Sequence, residues 1–230
     1  MYRIKICGLV HRADISSSVD AGADALGFLL GMTHMAEDSL TLPEAVELIQ
    51  AVPGHIWSVI VTHLTDPSTI IEYCSRTKCR ALQIQEDIKL SDLKRIRAAQ
   101  PSLSVIKALL MEKKSVESIF RPAAELAPYV DAFICDSADR AVDRIGGTGR
   151  IHDWSVSRRI VERLEKPVLL AGGLNAENVM GAVRTVCPWG VDVNSGVESS
   201  SRSVSGRKDG QKLRLFATRA RRALELPDEF

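Results

Sequence analysis

No run in this 230-residue sequence stays apolar long enough to be a membrane helix, which takes about 20 residues. Met1-Tyr2-Arg3-Ile4 leads into a strand pattern instead of a signal-peptide core. Neither observation leaves a role for a membrane, and a cytoplasmic protein is expected. An excess of charge is also missing, because 30 Lys and Arg against 29 Asp and Glu give a formal net charge of +1. That balance exerts no general pull on nucleic acid or anionic lipid, so a small-molecule ligand is the better expectation. Cysteine is sparse: Cys7, Cys74, Cys79, Cys135 and Cys187 are odd in number, form no C-x-x-C pair and have no histidine at zinc spacing. Reduced thiols and no metal or other cofactor are expected. Finally, no Pro/Ser/Gly stretch is long enough to divide the chain, so residues 1–230 are read as one domain.

What is present is alternation. Short apolar runs near 3–7, 25–30, 56–62, 80–84, 104–108, 130–135, 167–171 and 190–193 read as strands. Segments of helical period near 11–21, 43–51, 66–76, 90–99, 114–126, 155–164, 176–186 and 208–223 separate them. Thr41 before Leu42-Pro43, Asp66-Pro67, and Asn175 before Ala176 mark helix starts. Eight βα units in a chain of this length predict a closed (β/α)8 TIM barrel in preference to an open doubly wound sheet. A serine-rich segment, Glu198 to Gly206, is expected as a loop after the eighth strand.

Barrel chemistry gathers at the carboxyl ends of the strands. Cys7 ends the first run and Asp136 the sixth, so in one barrel both face the same pocket. A thiol opposite a carboxylic acid is a base and acid pair, provided Cys7 is drawn toward thiolate and Asp136 kept neutral by apolar neighbours. Inert packing for the thiol and a capping role for the acid are the competing readings. Lys5 is two residues from Cys7, on the same side but at another depth, and is expected to give the thiol little help. Gly172-Gly173 after strand seven and Ser195-Gly196 after strand eight are small turns where backbone can approach a phosphate. Gly147, within Gly146-Gly147-Thr148-Gly149, belongs to a third glycine loop that either covers a ligand or only turns the chain.

These motifs resemble a known family. Lys5-Ile6-Cys7-Gly8, Ala23-Asp24-Ala25-Leu26-Gly27-Phe28, Gly146-Gly147-Thr148-Gly149 with Asp153-Trp154, Ala171-Gly172-Gly173-Leu174-Asn175, and Gly190-Val191-Asp192-Val193 with Ser195-Gly196-Val197-Glu198 occur in order along nearly the whole chain. The ordered set resembles the N-(5'-phosphoribosyl)anthranilate isomerases of tryptophan biosynthesis. The resemblance implies a cofactor-free Amadori rearrangement of a phosphorylated sugar, with Cys7 as base and Asp136 as acid. It also implies that Asp192 lies near the aryl end of the substrate and that Gly172, Gly173, Ser195 and Gly196 cradle the phosphate.

The match fails in one region. Where the family has an arginine that holds the anthranilate carboxylate, the segment Leu29 to Thr41 contains no arginine or lysine. A charge-assisted hydrogen bond contributes roughly 1.5–3 kcal/mol, so its loss weakens a carboxylated substrate by about one to two orders of magnitude unless another cation substitutes. Arg140 and Arg144 are the candidates for that substitute, with solvated surface charges as the competing reading. The family's Gln-Leu-His-Gly after strand four is here Gln83-Ile84-Gln85-Glu86, and Glu37, Asp38 and Glu86 make the pocket mouth acidic. A related barrel enzyme acting on a different sugar phosphate and a non-catalytic phosphoribosyl-ligand binder therefore stand beside the isomerase reading.

Overall fold

Eight short runs pair in parallel and close on themselves. In the computed structural model, which describes residues 3–33, 38–111, 115–139, 144–145, 151–199 and 206–225, the barrel strands are β1 (Ile4–Ile6), β2 (Ala25–Leu30), β3 (Trp57–Thr62), β4 (Ala81–Ile84), β5 (Ser104–Leu110), β6 (Ala132–Asp136), β7 (Val168–Leu170) and β8 (Gly190–Val193). Each strand pairs with the next, and β1 pairs with both β2 and β8, which seals the cylinder. Outside it run α1 (Arg12–Asp20), α2 (Leu42–Gln50), α3 (Pro67–Thr77), α4 (Leu90–Ala99), α5 (Val116–Leu126), α6 (Trp154–Arg163), α7 (Val179–Val186) and α8 (Gly210–Glu225). The expected (β/α)8 barrel is the fold.

Strand alternation sorts the core into two layers. Ala25, Val59, Ala81, Ile106, Ile134 and Leu169 point inward and fill the barrel. Ile6, Phe28, Ile60, Leu82, Phe133 and Val191 point outward against the helices. Phe28, Phe133 and Phe216 are fully buried, and each such side chain contributes roughly 1.5–3 kcal/mol through removal from water. The inner layer is small and aliphatic, which leaves the barrel mouth to polar residues.

Local signals explain several helix starts. The Asp66 carboxylate accepts from the Thr69 backbone at 2.8 Å and caps α3 ahead of Pro67. At α2, the Glu44 carboxylate reaches back to the Thr41 backbone N–H at 2.8 Å. Helix α7 differs from the expectation: it begins at Val179, not Ala176. The Asn175 carboxamide oxygen accepts instead from the backbones of Glu177 and Asn178, at 2.9 and 3.0 Å, in a turn that precedes the helix. Strand β5 also runs two residues further than expected, to Leu110, because Leu109 and Leu110 continue the ladder with Cys135 and Asp136. Ser39–Leu40 pairs in parallel with Leu29 and Leu30 at the end of β2, and Ala138–Asp139 with Arg144–Ile145 form a small antiparallel pair after β6. No helix among the described residues is long and apolar enough to cross a membrane.

Candidate active site

Cys7 follows β1 directly, and its backbone N–H donates to the Val193 carbonyl at 2.8 Å, so the β1–β8 ladder continues through it. The thiol faces the barrel interior and is almost fully buried. Gly27 on β2 makes room for it, since a methyl group at Gly27 would lie 2.7 Å from Cys7 Sγ and 3.1 Å from Lys5 Cε. Burial pushes the thiol from an ordinary 9.0 up to about 12. The Lys5 ammonium opposes that rise through its charge and a hydrogen bond, while the carboxylates of Asp192 and Asp38 add to it.

The expectation that Lys5 gives little help is therefore corrected. Its four-carbon stem carries the ammonium past the depth of its own Cβ, up to the thiol. Lys5 is wholly buried, and its Nζ lies 2.8 Å from Asp192 Oδ1. The register sets this contact, because Lys5 stands directly opposite Asp192 on β8.

Asp136 ends β6 with its carboxyl inside the pocket, whereas the adjacent Cys135 points outward into the layer under the helices. Burial, reinforced by the Asp192 charge, pushes Asp136 from 3.8 up to about 6. Gln85, beyond the end of β4, donates its amide N–H to Asp136 Oδ2 at 3.2 Å and pulls the other way, as does the charge of Lys5. Cys7 and Asp136 thus both feel the buried Lys5–Asp192 pair. Among the described residues no group of three or more His, Cys, Asp or Glu side chains is arranged to hold a metal ion.

Two small turns meet beside this cluster. Gly172 and Gly173 have φ of +82° and +65°, which glycine adopts without strain. A methyl at Gly172 would lie 2.8 Å from the Ser137 backbone nitrogen, next to Asp136. Ser195 and Gly196 lie in a single 3-10 turn after β8, and a methyl on Gly196 would overlap the Leu174 carbonyl. The Asn178 side chain fastens the first turn by donating to the Gly173 carbonyl at 2.8 Å. The structure thus brings Gly172, Gly173, Ser195 and Gly196 together, while Gly147 lies outside the described residues.

Of the three acidic residues expected at the mouth, Asp38 is placed against the end of β1 and the loop after β8. Asp38 accepts from Asn194 Nδ2 at 2.7 Å, and its carboxylate packs against the position a Gly8 side chain would take. Buried Lys208 in turn donates to Asn194 Oδ1 at 2.6 Å and pairs with Glu198 at 3.2 Å. Glu37, Arg140 and the Arg144 side chain lie outside the described residues. Residues 29–33 and 38–41 contribute no cation. The motif reading expected little of Lys5 and gave Gln85 no role, yet both reach the cluster. The signal for both was available in strand parity, since Lys5 shares the face of Cys7, and Gln85 follows the barrel run 81–84 as Asp136 follows Cys135.

Comparisons with known proteins agree with this fold. The sequence profile described as "N-(5'phosphoribosyl)anthranilate (PRA) isomerase" matches residues 4–219. N-(5'-phosphoribosyl)anthranilate isomerase 2 of Methanosarcina mazei is 36% identical over 219 residues, spanning 95% of this chain and 94% of that protein. The Halobacterium salinarum isomerase is 36% identical over 222 residues, spanning 96% of each. Among solved structures, the Pyrococcus furiosus isomerase superposes with a TM-score of 0.78 at 26% identity, covering 96% of this chain and 100% of that one. A phosphoribosyl anthranilate isomerase in complex with reduced 1-(o-carboxyphenylamino)-1-deoxyribulose 5-phosphate superposes with a TM-score of 0.75 at 26% identity, covering 96% and 99%.

Proposed function

The chain belongs to the N-(5'-phosphoribosyl)anthranilate isomerase family, and from that premise we propose that Cys7 and Asp136 are the base and acid of an Amadori rearrangement. The substrate on this reading is N-(5'-phosphoribosyl)anthranilate and the product 1-(2-carboxyphenylamino)-1-deoxyribulose 5-phosphate, an intramolecular aldose–ketose isomerisation in tryptophan biosynthesis. The observation that carries the assignment is the pairing of a buried carboxyl pushed up to about 6 with a buried thiol, both facing one Lys5–Asp192 pair at the carboxyl ends of the strands.

The steps balance without any external electron acceptor. Asp136 gives its proton to the ribose ring oxygen as the bond from that oxygen to C1' breaks, and the nitrogen lone pair forms the C1'=N Schiff base. Cys7 then takes the C2' proton. The C2'–H electrons become the C1'=C2' double bond, and those of C1'=N return to nitrogen. The resulting enolamine becomes the ketone when a proton reaches C1' and the C2' hydroxyl loses its own. Burial holds the Asp136 carboxyl well above the ordinary carboxylate range, which keeps its proton available nearer neutral pH as a general acid needs.

The turns at Gly172–Gly173 and Ser195–Gly196 are assigned to the phosphate, supported by their contact with one another and their place after β7 and β8. Gly147 is assigned to the same ligand by resemblance. Asp192 is assigned to the arylamine end. Lacking a cation in residues 29–41, the pocket is expected to hold the carboxylate more weakly than a site with the family arginine. A mechanism built on a free thiol fits a reducing cytoplasm, and all five cysteines are free. The test is a steady-state assay of the purified protein on N-(5'-phosphoribosyl)anthranilate, following loss of its fluorescence. Turnover with a raised KM is expected, while binding of a phosphorylated sugar without turnover would favour the non-catalytic reading.

A further inference from the structure

Burial leaves Cys7 a neutral thiol near pH 7, although a base must be thiolate. Among the described residues the cation that reaches it is Lys5, which is already engaged by a carboxylate 2.8 Å away. The geometry of the pair shows how both facts fit one mechanism. Lys5 and Asp192 face each other across the β1–β8 ladder, and the same ladder fixes Cys7 through its bond to Val193. At Gly27, Sγ and the end of the Lys5 stem converge on the space where one methyl would be. The inner layer beneath is apolar, with Ala25, Val59 and Ala81. A well-packed apolar pair would hold such a site together about as well as an ion pair, so stability gives no reason for these charges.

We propose that the Lys5–Asp192 pair gates the base: Lys5 is a positioning residue shared between the Asp192 carboxylate and the Cys7 thiol, and a substrate N–H donating to Asp192 turns the Lys5 charge onto Cys7. The thiol is then basic only when the arylamine end of a substrate is seated, and it stays protonated in the empty pocket. Among the described residues, the charged groups that face Cys7 are Lys5 on β1, Asp192 on β8 and Asp38 beyond β2, so two carboxylates there oppose one cation. Across the pocket Asp136 responds to the same pair and to Gln85. This inference rests on the assignment of Cys7 as base, but its test needs no turnover.

The experiment is the rate of Cys7 alkylation by iodoacetamide at pH 8 in the full-length protein, read by mass spectrometry of the Cys7 peptide. Each unit by which the thiol pKa moves changes this rate about tenfold. Asp192→Asn frees the cation and is expected to speed alkylation about tenfold. Lys5→Met is expected to slow it by a similar factor, and Lys5→Arg to restore most of the loss. The double variant Lys5→Met/Asp192→Asn carries no lone buried charge, which guards against a misfolded single variant, and should react as slowly as Lys5→Met. Equal rates in Asp192→Asn and the double variant would overturn the gate, as would both single substitutions moving the rate in one direction. If the wild type fails to turn over phosphoribosylanthranilate while the alkylation order holds, the substrate assignment fails and the gate stands.

Discussion

At the scale of single residues, the carboxyl of Asp136 carries two separable consequences. Its native pKa of about 6 exceeds the ordinary 3.8, so ionisation opposes folding: no penalty exists below 3.8, and it is complete above 6. That gap corresponds to roughly 3 kcal/mol. Asp136→Asn is therefore expected to be more stable than wild type at pH 8 by up to about that amount, with the advantage shrinking toward zero at pH 4, as urea unfolding at the two pH values will show. Gln85 donates to the ionised form, so Gln85→Leu should raise the Asp136 pKa and move the alkaline fall of kcat/KM to higher pH. A fall that stays in place or moves to lower pH would separate Gln85 from the acid. Cys7 and Asp136 were legible in the sequence because each ends an apolar run. Lys5 was misjudged because alternation gives the direction of a Cβ but not the reach of a four-carbon stem.

At the scale of elements, the two turns after β7 and β8 behave as one part. Gly196 is seated against the Leu174 carbonyl, so the turn after β8 cannot gain a side chain there without moving the turn after β7. Gly196→Ala is expected to cost roughly 1–3 kcal/mol of stability by overpacking and to raise KM for a phosphorylated substrate more than it lowers kcat. Thermal unfolding and steady-state kinetics measure the two effects, and an unchanged KM would remove these turns from the phosphate site. The eight strands and eight helices were legible because apolar runs of four to seven residues alternate with amphipathic segments. The start of α7 was not, since Asn175 and Asn178 are both good capping residues and only the packed turn decides between them. The short pairings Ser39–Leu40 and Ala138–Asp139 lay below the length at which strand periodicity can be read.

At the scale of the whole molecule, the closed barrel brings the thiol that follows β1 and the carboxyl that ends β6 to one pocket, with Gln85 just beyond β4 and Asp192 on β8 beside them, and sets an acidic residue at the rim. The barrel was readable from the alternation of strands and helices, and the family from the order of the motifs. The missing arginine was equally plain, but the position of Asp38 against Gly8 and Asn194 emerges only when the end of β1 meets the loop after β8. Asp38→Asn removes a negative charge from that rim while leaving an acceptor for Asn194. It should lower KM for a carboxylated substrate about two- to fivefold, the effect of a roughly 0.5–1 kcal/mol charge interaction. An unchanged KM would mean that the rim charge is too distant or too well solvated to matter. The central assignment, a thiol and a carboxylic acid moving the protons of an Amadori rearrangement, is tested most directly by single-turnover loss of phosphoribosylanthranilate fluorescence in wild type, Cys7→Ser and Asp136→Asn. Rapid loss in wild type and a rate lower by about a hundredfold or more in each variant is the expected result. A Cys7→Ser or Asp136→Asn protein that still turns over within a few fold of wild type would contradict it.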